Sequence, residues 1–381
     1  MRTRYGHPFA LIALILVALT VADPAGVAHA QPAADHTLVV ETPISAFVVN
    51  SVLKEFSQFA KEKWNVVLKT ATMRAGTPTL YDRTVAWKGH PEADVFWGGE
   101  PALFDKLAAQ KLLAGLDVSP EVWDSIPASI GTPKAVPLKD PARFWVGTAL
   151  EVYGLVYHPR LLRQLGVPEP RDWEDVLNPR LKGQIVQSKP TRSSSSHATY
   201  VIVLQTKGET EGWEWLKRLA ANTGAFVDSS RAVPAAVAKG EFAIGFAVPS
   251  YYAFEEKLSG FDIKFVAPKN AFVTPEPVAV LAGARNSRFA REFVAFLLSE
   301  RGQRVLTERG LFPITPRYKV RGAPGSTAEL VVELTGGIRS FFDAPVSNVY
   351  DGEVARSQYQ AINERFRLDI EAAWDDLKRK Y

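Results

Sequence analysis

The sequence predicts an α/β fold built from two lobes. Short β-branched runs alternate with stretches whose apolar residues fall at helical spacing, which is typical of parallel βαβ units with helices on both faces of a sheet. The length of 381 residues exceeds that of a usual single domain, and 46% of the residues are hydrophobic, enough for two cores. This composition excludes collagen, coiled coils and disordered chains.

Composition excludes further classes of protein. The chain contains no cysteine, which rules out thiol nucleophiles, disulfides, cysteine-ligated metals and a lipid anchor on an N-terminal cysteine. The net charge of +4 is dispersed along the chain, so no nucleic-acid partner is expected.

The N-terminus has the pattern of an exported protein. Arg2 and Arg4 precede an apolar run over residues 9–22, and Ala28-His29-Ala30 follows as a small-x-small cleavage motif. The alternative is a membrane anchor, but the run is shorter than the roughly 18 apolar residues that a spanning helix needs. The sequence therefore predicts a cleaved signal peptide over residues 1–30 and a periplasmic protein that carries no lipid anchor.

The elements of the first predicted lobe follow directly. The pattern predicts strands over residues 37–42, 66–70 and 93–97, and helices over 48–60, 79–87 and 103–112. Ligands in this architecture bind at the loops that leave the carboxyl ends of strands.

The second predicted lobe repeats this logic. Strands are expected over residues 184–187, 224–227 and 242–248, and helices over 197–206, 213–219 and 233–238. A strand over 278–281 and a helix over 287–298 return the chain to the first lobe. The predicted divisions are 31–150 plus 271–316 for lobe 1, 151–270 for lobe 2, and 317–381 for a helical C-terminal segment that packs on a lobe.

Several segments carry a family resemblance. Residues 170–177 (PRDWEDVL), Pro179 and residues 182–185 (KGQI) resemble the entry to the second lobe of periplasmic solute-binding proteins of ABC importers. Residues 93–97, 233–252 and 299–306 occur in the order seen in the family 1 extracellular solute-binding proteins, within the group that binds ferric iron, thiamine and phosphorylated sugars.

The resemblance implies a type II periplasmic binding protein fold. Each lobe would be a mixed sheet flanked by helices, and two crossover strands would join the lobes around a bound ligand. The implied partner is an ABC permease in the inner membrane. We expect a monomer, because the lobes must move freely.

The strongest local signal for a binding site is the run from Thr191 to Ser196. It follows a predicted strand and opens a predicted helix, so backbone N–H groups and hydroxyls converge on the positive end of a helix dipole. Arg192 adds a two-pronged contact suited to phosphate or carboxylate. The alternative is that one serine caps the helix and the others face solvent. The predicted ligand contacts in this run are Thr191, Arg192, Ser193, Ser194 and Ser195.

Weaker candidates lie on both lobes. Ser230 and Arg231 precede the predicted helix over 233–238, where helix capping alone would also explain the serine. From the first lobe, Ser45, Gly99 and Glu100 are expected to close on the ligand.

Tyr251 and Tyr252 follow the predicted strand over 242–248. By the resemblance, they match the tyrosine pair that ligates ferric iron in the iron-binding members of the family. At residues 43–45, however, there is no histidine to complete such a ligand set. The alternative is that the rings stack on, or hydrogen-bond to, an organic phosphate or carboxylate. In that case the site binds no iron. No resident cofactor is expected with either ligand, because Fe(III) would itself be the transported ligand.

No catalytic motif is complete. Ser51 and Lys54 have the SxxK spacing of penicillin-recognising enzymes, but the partner motifs Ser-Asp-Asn and Lys-Thr-Gly are absent. We therefore expect a binding protein for a small anion, with ferric iron as the second candidate ligand and an exported hydrolase as a remote alternative.

Overall fold

The computed structural model describes residues 36–268, 271–343 and 345–381. The predicted signal peptide lies outside these ranges. Among the described residues, no helix is both long and apolar enough to cross a membrane.

The N-terminal part of the chain alternates strands and helices as predicted. Its elements are β1 (Thr37–Thr42), α1 (Ala46–Trp64), β2 (Lys69–Arg74), α2 (Thr77–Ala86), β3 (Val95–Trp97), α3 (Pro101–Ala109), β4 (Leu113–Ala114), α4 (Pro120–Ser125), β5 (Ser129–Ile130), β6 (Thr132–Pro133) and β7 (Val136–Pro137).

The middle of the chain begins with a long strand and continues with a second α/β unit. Its elements are β8 (Val146–Tyr157), α5 (Pro159–Leu165), two 3-10 turns (Trp173–Leu177 and Pro179–Leu181), β9 (Ile185–Ser188), α6 (Ser194–Lys207), α7 (Glu209–Asn222), β10 (Thr223–Val227), α8 (Ala232–Ala238), β11 (Ile244–Pro249), α9 (Ser250–Leu258) and β12 (Lys264–Val266).

The C-terminal part returns through a second long strand and ends in helices. Its elements are β13 (Val273–Leu281), α10 (Ser287–Leu298), α11 (Glu300–Thr307), β14 (Phe312–Pro313), α12 (Thr327–Leu334), β15 (Ser347–Asn348), α13 (Gly352–Arg365), a π-helical turn (Phe366–Glu371) and α14 (Trp374–Lys380).

One mixed sheet joins these parts, with the strand order β10-β9-β11-β8-β13-β3-β1-β2. We call the strands β1 to β4 with their helices the first half, and β9 to β12 with their helices the second half. Strands β8 and β13 run between the halves: β8 pairs with β13 at one end and with β11 and β12 at the other. All residues of both strands are buried. They correspond to the two crossover strands that the resemblance implies.

The first half is closed by aromatic packing of α1 and α10 on the sheet. Phe56 of α1 contacts Phe293 of α10 with ring centroids 5.1 Å apart, and Trp97 of β3 contacts the same Phe293 ring at 5.6 Å. The predicted helix over 287–298 is confirmed with the same bounds. This core fixes the carboxyl end of β3, which lies next to the site described below.

The predicted position of the second strand is wrong. The strand was expected over residues 66–70, but β2 runs from Lys69 to Arg74, and Val67 is 73% exposed. The reason is that β2 is an edge strand whose residues are mostly exposed, and its position is set by parallel pairing with β1 rather than by apolar side chains. The shift moves the carboxyl end of the strand to Arg74.

The C-terminal segment contacts both halves. Helix α13 packs against α3 of the first half and α6 of the second, while α14 packs on α7. Asp351 accepts from Lys134 at 2.9 Å, and its backbone N–H donates to Gln205 at 2.8 Å. The segment therefore bridges the halves at one side of the molecule.

Candidate ligand-binding site

A cleft of about 250 Å³ lies between the two halves, where loops leave the carboxyl ends of β1, β2, β9 and β10. Residues of both halves line it: Pro43, Arg74, Ala75, Gly76, Thr77, Arg192, Ser193, Ser194, Ser229, Ser230, Arg231 and Tyr252. We call Arg74, Arg192 and Arg231 the arginine rim.

The first half contributes the segment from Arg74 to Thr77. Arg74 is the last residue of β2, and Thr77 is the first residue of α2, so a single short turn places both in the cleft. Gly76 lies so close to the second half that a Cβ atom there would be 2.4 Å from the carbonyl oxygen of Arg192. Only glycine permits this approach.

The second half contributes the serine run ahead of α6. The backbone N–H groups of Arg192 and Ser193 both donate to the Lys189 carbonyl at 3.0 Å, which folds the loop into a turn. Arg192 is left exposed at the cleft, while Ser194 begins α6. The positive end of this helix dipole therefore faces the cleft beside the Arg192 side chain.

A second loop of the same half carries Arg231. The loop turns through a bond from the Arg231 N–H to the Ser229 hydroxyl at 3.3 Å. The Arg231 guanidinium forms an ion pair with Glu255 of α9, and this bond raises the pKa of Arg231. Glu255 thus holds Arg231 in place and offsets its charge, whereas neither Arg74 nor Arg192 has an acidic partner among the described residues.

Two hydrogen bonds hold the halves together across the cleft. The Tyr252 hydroxyl donates to the Pro43 carbonyl at 2.9 Å, and the Thr77 and Ser194 hydroxyls are 3.1 Å apart. In each pair, one residue belongs to the first half and the other to the second. The structure therefore shows the cleft in a closed arrangement.

The tyrosine pair is buried. The rings of Tyr251 and Tyr252 lie 4.4 Å apart, and both residues are less than 5% exposed. Burial is the largest cause that raises the pKa of each hydroxyl. At neutral pH the pair offers hydroxyl groups rather than phenolates.

The loop after β3 lies behind Thr77. Gly99 donates its backbone N–H to Glu276 at 2.8 Å, and Thr77 packs against it so closely that a Cβ on Gly99 would be 2.4 Å from the threonine hydroxyl oxygen. Glu100 is buried and accepts a hydrogen bond from Tyr350 of the C-terminal segment. Burial raises the pKa of Glu100 to about 7.

The cleft brings together half of the predicted contact residues. Those that line it are Arg192, Ser193, Ser194, Ser230, Arg231 and Tyr252. The remaining predicted residues do not line it in this structure: Ser45 caps α1, Ser195 bonds to Ser193, Tyr251 and Glu100 are buried, Gly99 lies behind Thr77, and Thr191 lies outside the lining. A role for these residues in binding stays a prediction.

Sequence reasoning missed Arg74 and Thr77. The signal that identifies them is the edge strand: once β2 is extended to Arg74, this residue falls at the carboxyl end of a strand next to β1, where ligands bind in α/β folds. Pro43 was also missed; it lies two residues before the predicted Ser45. Ser229 belongs to the run Ser229-Ser230-Arg231 ahead of the helix over 233–238, which the sequence does single out.

The described residues do not form a metal site of carboxylates and imidazoles. Within residues 36–268, 271–343 and 345–381, no group of three or more His, Cys, Asp or Glu side chains is placed to hold a metal ion.

The chain matches known proteins over most of its length. The family model for bacterial extracellular solute-binding proteins matches residues 90–328. The phosphoglycerate transport regulatory protein PgtC of Salmonella typhimurium is 26% identical over 300 residues, covering 75% of this chain and 71% of PgtC. The major ferric iron-binding protein of Neisseria meningitidis serogroup B is 30% identical over 236 residues, covering 59% of this chain and 66% of that protein.

Solved structures share the fold. The periplasmic binding protein AfuA from Actinobacillus pleuropneumoniae, with exogenous fructose-6-phosphate bound, superposes with a TM-score of 0.72 at 23% identity, covering 88% of this chain and 98% of AfuA. This similarity confirms the predicted two-lobed α/β fold. The family model covers more than half of the sequence, and the chain therefore belongs to the bacterial extracellular solute-binding proteins.

Proposed function

We propose that this solute-binding protein captures a small organic anion, with a phosphate or carboxylate group, and delivers it to an ABC permease in the inner membrane. The observation that carries the proposal is the arginine rim: three guanidinium groups from both halves face one closed cleft of about 250 Å³. We further propose that the protein acts in the periplasm as a monomer, after cleavage of its signal peptide.

The chemistry of the rim suits a phosphate. A guanidinium presents parallel N–H donors that match two oxygens of one phosphate or carboxylate group. The hydroxyls of Ser194, Ser230 and Thr77 add neutral hydrogen bonds from the same walls. Hydrogen bonds to charged groups contribute roughly 1.5–3 kcal/mol each, so two or three such contacts give strong binding of a small ligand.

The relatives support an anionic ligand. PgtC is named for phosphoglycerate transport, and AfuA has fructose-6-phosphate bound. These ligands differ in their carbon skeletons but share a phosphate group, which is the part that an arginine rim recognises. The family model matches proteins that bind solutes rather than enzymes, and we accordingly propose no catalytic activity.

Ferric iron remains the second candidate ligand. Its support is the tyrosine pair and the similarity to the Neisseria iron-binding protein. Iron ligation would displace the protons of both hydroxyls and break the hydrogen bond that Tyr252 donates to Pro43. An organic anion can contact the same residues without removing the protons of the tyrosine hydroxyls.

Native mass spectrometry of the protein purified from periplasm, without added ligand, tests the proposal. The mass difference between the native and denatured protein identifies the bound solute: a phosphorylated or carboxylated molecule supports it, and an iron atom contradicts it. Tyr252→Phe sharpens the result, because it should abolish iron binding but weaken an organic ligand only about tenfold through loss of one hydrogen bond. Tyr318→Phe, outside the cleft, is the matched control.

A further inference from the structure

A second set of polar groups lies on the strands that connect the halves. Glu151 and Tyr153 are two residues apart on β8, so they share a face of the sheet, and Thr274 of β13 is the cross-strand partner of Glu151. Glu276 follows Thr274 by two residues and accepts a hydrogen bond from Gly99. We call Glu151, Tyr153, Thr274 and Glu276 the acidic floor.

Three buried polar atoms in and beside the acidic floor lack a hydrogen-bond partner among the described residues. Oε2 of Glu151 and the hydroxyl of Thr274 are buried and have no hydrogen-bond partner among the described residues, and the same holds for the nearby Ser250 hydroxyl at the start of α9. Within the described ranges, no Lys, Arg or His forms an ion pair with Glu151 or Glu276. Buried groups of this kind are unfavourable unless something else satisfies them.

The groups that face the two carboxyls are all neutral or acidic. Against the effect of burial, a hydrogen bond with Tyr153 lowers the pKa of Glu151, and one with Tyr251 lowers the pKa of Glu276. Besides burial, the charge of Glu100 raises the pKa of Tyr153. Burial raises the pKa of both Glu151 and Glu276, and for Glu151 the charge of Glu276 raises it further. Two adjacent carboxyls without a cation hold a proton between them.

The acidic floor shares a wall with the cleft. Gly99 bonds to Glu276 on one side and packs on Thr77, which lines the cleft, on the other. Gly99 therefore lies directly between a residue of the floor and a residue of the cleft wall. Tyr252 also lines the cleft. Besides burial, the charges of Glu276 and Glu151 raise the pKa of its hydroxyl, and the charge of Arg74 lowers it.

We propose that Glu151 and Glu276 form a second subsite, which binds the ammonium group of a ligand whose phosphate or carboxylate is held by the arginine rim. This inference rests on the proposed function for the anionic end of the ligand and adds that the ligand is zwitterionic. An ammonium group carries three hydrogen-bond donors and one positive charge. It supplies both the donors that the unpartnered acceptors lack and the counter-charge that the two carboxyls lack.

The experiment compares two phosphates that differ only at the far end. Phosphoethanolamine carries an ammonium group and ethyl phosphate does not, and calorimetry gives the Kd of each. The native protein should bind phosphoethanolamine at least tenfold more tightly. In Glu276→Gln the Kd values of the two phosphates should differ by no more than about twofold. The Kd of ethyl phosphate should stay within about threefold of its value for the native protein, because the glutamine oxygen can still accept a hydrogen bond from Gly99.

Glu151→Gln is the second variant, and Glu300→Gln on α11, outside both the floor and the cleft, is the control. Thermal unfolding confirms that each variant is folded. The preference of the native protein should also increase from about pH 5.5 to pH 8, since a protonated floor binds an ammonium group poorly. The ammonium group lowers the second pKa of phosphoethanolamine below that of ethyl phosphate, so the same pH series in Glu276→Gln measures the part of the change that comes from the phosphates themselves.

Each result supports or overturns the inference. Equal Kd values for the two phosphates in the native protein, or a preference that survives in both glutamine variants, would overturn the ammonium subsite while leaving the anion site intact. If neither phosphate bound, the proposed function would fail and the inference with it. A visible tyrosinate-to-iron absorption band on adding Fe(III) citrate, lost in Glu276→Gln, would assign the floor to iron instead.

Discussion

The arginine rim and the acidic floor contain side chains of opposite charge, and they differ in how exposed these side chains are. The rim consists of exposed side chains at the ends of three separate loops, whereas the floor consists of buried side chains on the two strands that run between the halves. Rim residues of the first and second halves must part when the cleft opens, because the Tyr252–Pro43 and Thr77–Ser194 bonds join them only in the closed arrangement. The floor residues lie on β8 and β13, which run between the halves and are joined to each other by strand pairing.

This difference separates two tasks. Exposed charges act through water and are screened by salt, so a rim suits capture of an anion from solution. Buried groups interact strongly at short range and are unfavourable when unpaired, so a floor suits discrimination between ligands that have already entered. Variants at the two regions should accordingly change different quantities.

Loss of a rim arginine should have the largest effect. Arg192→Ala removes a charge-assisted contact of roughly 1.5–3 kcal/mol, which corresponds to a 10- to 150-fold increase in the Kd of an organic phosphate. Arg74→Ala should have an effect of the same size, because neither guanidinium has an acidic partner among the described residues. Calorimetric titration measures both.

Arg160→Ala, an exposed substitution on α5 outside the cleft, is the matched control and should leave the Kd unchanged. Arg231→Ala should weaken binding less than Arg192→Ala, because Glu255 already offsets the Arg231 charge. An unchanged Kd in both Arg74→Ala and Arg192→Ala would remove the rim as the anion site.

Two of the three rim arginines, Arg192 and Arg231, were predictable from the sequence. Arg192 lies in a run of hydroxyl residues between a strand and a helix, and that order survives folding with a shift of only a few residues. Arg74 was missed because the apolar residues 66–68 suggested a strand that ends at residue 70. The pairing that sets the end of β2 comes from β1, a partner that local patterns do not reveal.

The floor was hidden for a different reason. Strand β8 is buried at all twelve positions and still contains Glu151, so its sequence does not alternate between apolar and polar residues. Glu276 lies on β13, which is likewise buried at every position. That the two carboxyls are neighbours depends on the antiparallel pairing of strands that are more than a hundred residues apart in the chain. No local signal carries that information.

A buried carboxyl close to the floor should make stability depend on pH. The pKa of Glu100 is raised from 4.5 to about 7 by burial, so the folded protein keeps its proton at pH values where the unfolded chain has lost it. The free energy of unfolding should therefore fall as pH rises from about 4.5 to 7. Glu100→Gln removes this contribution, of about 2–3 kcal/mol.

Urea unfolding at pH 5 and pH 8 measures the difference. The native protein should lose more stability between these two values than Glu100→Gln does, and the two curves should lie closest at the acidic end. Glu333→Gln on α12 is the control, because Glu333 is exposed. Equal losses in both proteins would show that Glu100 ionises as freely in the folded chain as in the unfolded one.

The smallest effect concerns the serine run itself. Ser194 lines the cleft and its hydroxyl lies 3.1 Å from that of Thr77, whereas Thr191, three residues earlier, does not line it. Ser194→Ala should raise the Kd about three- to tenfold, in line with one neutral hydrogen bond of about 1 kcal/mol, and Thr191→Ala should change it less than twofold. If both substitutions weakened binding equally, the loop would act through its conformation, which the Lys189 carbonyl sets by accepting from Arg192 and Ser193. A difference between them would instead show that Ser194 acts by direct contact with the ligand from the cleft wall.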